Sequence, residues 1–203
     1  KAELPNYYRW RRVTIAGVPV LLSRTGYTGE LGFELYFPAA AAAQLWRMLL
    51  AIPPVRPAGL GARDTLRLEV GYPLYGHELD PETTPLEAGF GALIPLDRAD
   101  RDFIGAAALR AQAPRRRLVG IELDGRRAAR AGTAVLLNGN RIGMISSGTF
   151  SPSLEKAIAL AYIAADSALP AGAEIQLDAG RQPLSGRIAE LPFYRNGSVR
   201  RQL

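Results

Sequence analysis

Three groups of residues in this 203-residue chain combine types and spacing that could do chemistry. The first is the glycine-punctuated run Gly26-Tyr27-Thr28-Gly29-Glu30-Leu31-Gly32. Such a run lets a backbone pass close to something flat or bulky. It is not a phosphate loop, because it lacks the Gly-Lys-Ser/Thr ending and leads into a strand rather than a helix. A tight connection between strands is the simpler alternative. The second is Glu34, a lone carboxylate in the middle of an alternating segment, Phe33 to Phe37. Facing a crevice, it could pair with a ligand that offers two adjacent N–H groups, as carboxylates do with arginine; facing solvent, it does nothing. The third is Arg63-Asp64 in Gly61-Ala62-Arg63-Asp64-Thr65-Leu66-Arg67-Leu68-Glu69. Asp64 and Arg67 at i, i+3 read as an ordinary surface pair, an account that leaves Arg63 unexplained. His77, in Tyr75-Gly76-His77-Glu78, reads as structural rather than catalytic.

Composition narrows the chemistry further. With no cysteine and one histidine, these residues offer no thiolate nucleophile, zinc-thiolate or iron–sulfur ligand set, and hardly a Ser-His-Asp triad. Proton transfer falls to Asp, Glu, Tyr or a bound cofactor. The net charge is +6, and every basic residue except Lys1 and Lys156 is arginine. Arginine favours planar recognition of carboxylate or phosphate over a diffuse field. The clusters at Arg115, Arg116 and Arg117 and at Arg126, Arg127 and Arg130 are not interleaved with aromatics, as a single-strand groove would be. They read as a solvated basic face, compatible with a small anionic ligand, and nucleic acid is not expected. Nor is a membrane span, for want of about 18 successive apolar residues.

The elements that must position these residues follow from periodicity. Residues 13–23 read as strand, turn and strand around Ala16-Gly17. Phe33, Leu35 and Phe37 then alternate with Glu34 and Tyr36, which places the last two on the opposite face of a strand. Pro38 opens an alanine-rich helix over 39–51 with Leu45, Trp46, Leu49 and Leu50 inward. A second helix is expected over 58–70, with Ala62, Leu66 and Val70 as its stripe and Arg63 at the edge, stem packed and head free. This is α+β architecture, helices on one face of a mostly antiparallel sheet. Residues 71–100 are irregular apart from a short helix at 85–88, and another helix covers 104–112. From residue 117 onward six short strands are expected, over 118–123, 133–137, 141–147, 157–163, 173–178 and 184–190. They imply a small antiparallel β-barrel or sandwich, with Asn138-Gly139 as its clearest hairpin turn. The expected domains are 1–113 and 114–203.

The motifs together resemble a known family. Arg24-Thr25-Gly26-Tyr27-Thr28-Gly29-Glu30-Leu31-Gly32-Phe33-Glu34 is similar to the signature of the glycine cleavage system T protein. So are the run from Gly59 through Glu69 to Gly71-Tyr72-Pro73-Leu74-Tyr75-Gly76-His77-Glu78-Leu79, and Thr83-Thr84-Pro85-Leu86-Glu87-Ala88-Gly89. Ser147-Gly148-Thr149-Phe150-Ser151-Pro152-Ser153-Leu154 also matches, so the resemblance runs in order along nearly the whole chain. It implies a tetrahydrofolate-dependent aminomethyltransferase. Such an enzyme takes the aminomethyl group from the lipoyl arm of the H protein, releases ammonia and forms methylenetetrahydrofolate, in the cytoplasm. By resemblance Tyr27 and Glu34 contact the pterin, Arg63 is a ligand-binding arginine, Tyr72 an aromatic of the folate site, and Arg195 a further basic contact. The α+β part is then an incomplete ferredoxin-like folate-binding region, followed by the barrel.

The resemblance also sets limits. The family's enzymes are longer, and their catalytic aspartate lies in a portion without a counterpart here. No catalytic residue is therefore expected in this chain, and Asp64, Asp80 and Asp97 do not take that place. The chain reads as a fragment, inactive by itself. The folate-binding part of a dimethylglycine or sarcosine dehydrogenase remains an alternative. Relatives acting in iron–sulfur assembly or tRNA modification carry a cysteine-containing glycine-rich motif, which is absent here.

Overall fold

The computed structural model describes residues 4–201 except 99, 168 and 181. By its internal contacts the chain falls into two compact units, Lys1–Arg67 with Arg195–Leu203, and Leu68–Tyr194.

In the first unit, β1 (Trp10–Ile15) and β2 (Val18–Ser23) form a hairpin, and β3 (Glu34–Tyr36) pairs antiparallel with β2 to give the order β1-β2-β3. The hairpin turn is Ala16-Gly17, both at positive φ (49° and 80°), the backbone that two-residue turns between twisted strands require. Strand alternation sorts the side chains. Val13, Ile15, Val18, Val20 and Leu35 turn to one face and pack with Leu45 and Met48 of α1 (Ala42–Leu50), which a 3-10 turn at Ala39–Ala41 introduces. Leu45 is buried, but Trp46 and Leu50, expected inward, are exposed. Met48, three residues on from Leu45 and so on the same helix face, takes an inward place instead. α2 (Leu60–Glu69) follows, and the division between units falls inside it.

In the second unit, α3 (Ala106–Ala111) precedes six strands: β4 (Arg116–Leu123), β5 (Ala134–Leu137), β6 (Asn140–Ser151), β7 (Lys156–Ala164), β8 (Glu174–Asp178) and β9 (Leu184–Ala189). They close into a barrel in the order β4-β7-β6-β5-β8-β9, antiparallel throughout. Closure removes the unpaired edges a six-stranded sheet would otherwise expose. Val119, Ile121, Leu123, Val135, Ile145, Ile163, Ile175, Leu177 and Ile188 fill the interior. A second apolar cluster, Leu68, Ile158, Leu160 and Phe193, lies on the other face of β7, which explains why that strand is buried on both sides. At Gly148 a Cβ would overlap the Ala129 carbonyl, so only glycine allows the approach.

The segment expected to hold a helix at 85–88 is a hydrogen-bonded turn. Its backbone is closed by a reciprocal pair, Thr84 N–H to Glu87 Oε2 (3.1 Å) and Glu87 N–H to Thr84 Oγ1 (3.2 Å), the capping-box exchange without a helix to follow. Of the clustered arginines, Arg115, Arg126, Arg127 and Arg130 are exposed, as expected, and Arg116 and Arg117 are half-buried. Arg116 stacks 4.3 Å over Tyr162, Arg126 stacks 4.2 Å over Phe150, and Arg117 donates to the Leu169 carbonyl at 2.8 Å. The aromatics absent from the local sequence are supplied by β6 and β7.

Candidate functional site

Strand pairing gathers the candidate residues of the first unit on one sheet face. The register Trp10↔Ser23↔Glu34 and Arg12↔Leu21↔Tyr36 places these six residues on the sheet face opposite α1. Glu34 and Tyr36 are exposed there, as their alternation with Leu35 requires. The Glu34 carboxylate is held on one side only. Thr25 Oγ1 and Tyr36 OH (3.3 Å) both donate to its Oε2, and Ser23 Oγ lies 2.9 Å from Thr25 Oγ1, extending the chain of hydroxyls. Both donors fall on Oε2, which leaves Oε1 as an acceptor toward solvent.

The glycine-rich run supplies a second component. Gly29 has φ +72° and is buried, which lets residues 26–32 turn back without a side chain at the bend. Tyr27, half-buried on this run, carries the Arg63 guanidinium 4.5 Å from its ring centroid. Arg63 comes from the first turns of α2 and is exposed. A stacked arginine keeps its in-plane N–H groups available for an anion while its face is spent on the ring. Tyr27 and Arg63 are thus brought together, and Glu34 is tied to the same run through Thr25.

The remaining expected residues sit elsewhere in the chain. Tyr72 is half-buried in the second unit, next to Gly71, whose φ is +70° and where a Cβ would press on the Leu191 side chain. Arg195 is exposed at the start of the segment that returns to the first unit. His77 is exposed, with Nδ1 3.3 Å from both the Ser146 carbonyl and Ser147 Oγ, a structural position on the barrel unit.

Periodicity missed three residues of the open sheet face, Trp10, Arg12 and Thr25. Arg12 lies 6.0 Å over the Trp10 ring. Only the cross-strand register joins Trp10 and Arg12 to Glu34, and only a tertiary hydrogen bond joins Thr25 to it. The Asp64–Arg67 pair also differs from expectation. Its 2.7 Å ion pair joins a half-exposed carboxylate to an arginine side chain that is 0% exposed, so Arg67 is a buried cation and not a surface charge. Glu69 is buried too, accepting from Ser151 Oγ at 2.6 Å and Ser153 Oγ at 2.9 Å.

Comparison with known proteins settles the family. Residues 1–98 match the family described as the GCVT N-terminal domain, and residues 116–195 the glycine cleavage T-protein C-terminal barrel domain. The chain belongs to the glycine cleavage T-protein family. It is 47% identical to an aminomethyltransferase of Moorella thermoacetica over 196 residues, 94% of this chain and 53% of that protein. It is 48% identical to one of Symbiobacterium thermophilum over 203 residues, 96% of this chain and 53% of that protein. A crystal structure of glycine cleavage system aminomethyltransferase T from Bartonella henselae is similar with TM-score 0.81 and 35% identity, covering 88% of this chain and 51% of that one. The chain therefore spans about half the length of the T-protein relatives it matches. Among the described residues no helix is long and apolar enough to cross a membrane.

Proposed function

We propose that this chain supplies the folate-gripping residues of an aminomethyltransferase that moves a one-carbon unit from the lipoyl arm of an H protein to tetrahydrofolate, with release of ammonia. The observation that carries this reading is the oriented Glu34 carboxylate, open on a sheet face and tied through Thr25 to a glycine-rich run that bears the Tyr27–Arg63 stack. These residues fit a reduced pteridine with an anionic tail. With Oε2 taken by Thr25 and Tyr36, the Oε1 oxygen has two acceptor sites left for N–H donors of the heterocycle edge. Tyr27 offers a flat surface, and Arg63 a positive charge to meet an anionic tail. By resemblance alone, Tyr72 and Arg195 are further folate-contact candidates.

When bound, tetrahydrofolate supplies the nucleophilic nitrogen that receives the one-carbon unit. The residues of this chain bind and orient. Holding two reactants in register removes translational and rotational freedom, worth up to about 7–11 kcal/mol in the best-aligned cases. Arg63 adds a fixed charge at the site, which needs no reorganisation as charge shifts. The net charge of +6 favours encounter with an acidic carrier protein. No residue here is assigned to proton transfer, so a polypeptide of these 203 residues alone is expected to release no ammonia from aminomethyl-lipoyl H protein.

The test is direct titration of the chain with tetrahydrofolate, followed by calorimetry. Saturable one-site binding, blocked by the 5-formyl derivative, is the expected result. Absence of binding at millimolar ligand overturns the reading.

A further inference from the structure

The glycine-rich run is gripped from behind by a segment far away in sequence. Ser198 lies at the centre of the grip. Its backbone N–H donates to Glu30 Oε2 at 3.0 Å, its hydroxyl donates to the same oxygen, and that hydroxyl accepts the Leu31 N–H at 3.0 Å. Val199 N–H donates to the Gly29 carbonyl at 3.1 Å. Gly197 packs so closely that a Cβ would overlap the same carbonyl. Two residues on, the Arg201 carbonyl accepts from Arg24 Nη2, and Arg201 N–H closes a turn onto the Ser198 carbonyl at 2.9 Å. Arg24 is 3% exposed and its Nε makes no hydrogen bond, so the Arg201 carbonyl is a main support for a buried cation.

These contacts fall on both ends of one stretch. Arg24 is fixed at its start and residues 29–31 at its end, while Thr25, Gly26, Tyr27 and Thr28 span the interval. Glycine-rich backbone loses more conformational freedom on ordering than any other, so a run of this composition does not hold one shape unaided. Two of the bonds converge on the Glu30 Oε2 oxygen and a third is given by the Arg24 guanidinium, so three of them are charge-assisted and hold geometry more firmly than neutral ones.

We propose that residues 197–201 form a clasp that holds the glycine-rich run in its ligand-ready shape, with Ser198 as a positioning residue for Tyr27 and Thr25. Ser198 itself touches neither the Glu34 carboxylate nor the Tyr27–Arg63 stack; it acts through Glu30 and Leu31. The ligand part of this inference rests on the tetrahydrofolate reading above, while the ordering of the run does not.

The test compares wild type, Ser198→Ala and Ser198→Thr in the full chain, by amide hydrogen exchange and by tetrahydrofolate titration. Ser198→Ala is expected to speed exchange at Glu30 and Leu31 while the β7 amides keep their rates, and to weaken tetrahydrofolate binding about tenfold, the loss that accompanies a hydrogen bond to a charged group. Ser198→Thr keeps the hydroxyl and restores both. Unchanged exchange at residues 30 and 31, or faster exchange with unchanged affinity, overturns the clasp. If wild type binds no tetrahydrofolate, the folate reading fails and exchange alone decides: faster exchange in Ser198→Ala supports the clasp, and unchanged exchange overturns it.

Discussion

The Arg63 guanidinium lies 4.5 Å above the Tyr27 ring, joining a helix to a glycine-rich run that precedes it by a strand and another helix. An exposed cation–π contact of this kind is worth about 0.5–1 kcal/mol. Its larger effect is to aim the guanidinium. Arg63→Lys keeps the charge but loses the planar fork and the stack, and is expected to weaken tetrahydrofolate binding several-fold. Tyr27→Phe keeps the ring and should change affinity much less. Calorimetric titration of the two variants separates stacking from charge.

Thr25 offers a second handle on the site. Its hydroxyl donates to Glu34 Oε2 and sits 2.9 Å from Ser23 Oγ. Thr25→Val has nearly the same shape and removes the donor. Tetrahydrofolate affinity should fall about tenfold, in line with a charge-assisted hydrogen bond of about 1.5–3 kcal/mol. Because Glu34 is exposed, thermal stability should stay within about 0.5 kcal/mol.

In the barrel, Gly148 tests close packing of strands. An added Cβ would collide with the Ala129 carbonyl, a backbone atom that cannot swing aside. Gly148→Ala is expected to cost about 1–3 kcal/mol or more, as overpacked cores do. Gly91→Ala serves as the control, since its nearest side-chain atom is a Leu86 methyl at 3.7 Å. Urea unfolding of both variants checks the difference.

Tyr162 predicts a pH dependence at the alkaline end. Burial pushes its phenol up to about 12, against the pull of Arg116 stacked on its ring, and its hydroxyl donates to the Glu78 carbonyl at 2.8 Å. The folded state thus holds this proton more tightly than the unfolded chain, where tyrosine titrates near pH 10. The associated stability is complete below about pH 10 and is lost as pH rises toward about 12. Unfolding free energy should fall more steeply across that window in wild type than in Tyr162→Phe.

Much of this architecture was legible in the residues. Six short apolar runs parted by turn residues gave the barrel, and Asn138-Gly139 marks the β5–β6 turn with φ of 51° and 78°. The strand limits were less legible. β6 continues to Ser151 because a register shift between Ile145 and Ser147 lets Gly148 and Thr149 keep pairing with β7, and a bulge leaves no periodic trace. In α2 the expected stripe of Ala62, Leu66 and Val70 gave way to Arg67, Leu68 and Glu69 as the buried residues. Hydropathy cannot see such burial, because Arg67 is paired with Asp64 and Glu69 with Ser151 and Ser153, partners distant in sequence for the second pair. Alternation placed Glu34 and Tyr36 on one face, whereas Trp10, Arg12 and Thr25 joined them only through strand register and a tertiary hydrogen bond.

The proposed site depends most on the Glu34 carboxylate gripping the N–H edge of a reduced pteridine. The decisive measurement is the tetrahydrofolate dissociation constant of Glu34→Gln beside wild type, with hydrogen exchange of β2 as a check on the fold. Glutamine keeps the shape but presents a donor where the edge also presents donors. A loss of about tenfold or more, with β2 unchanged, is the predicted result. Equal affinity in the two proteins would contradict it.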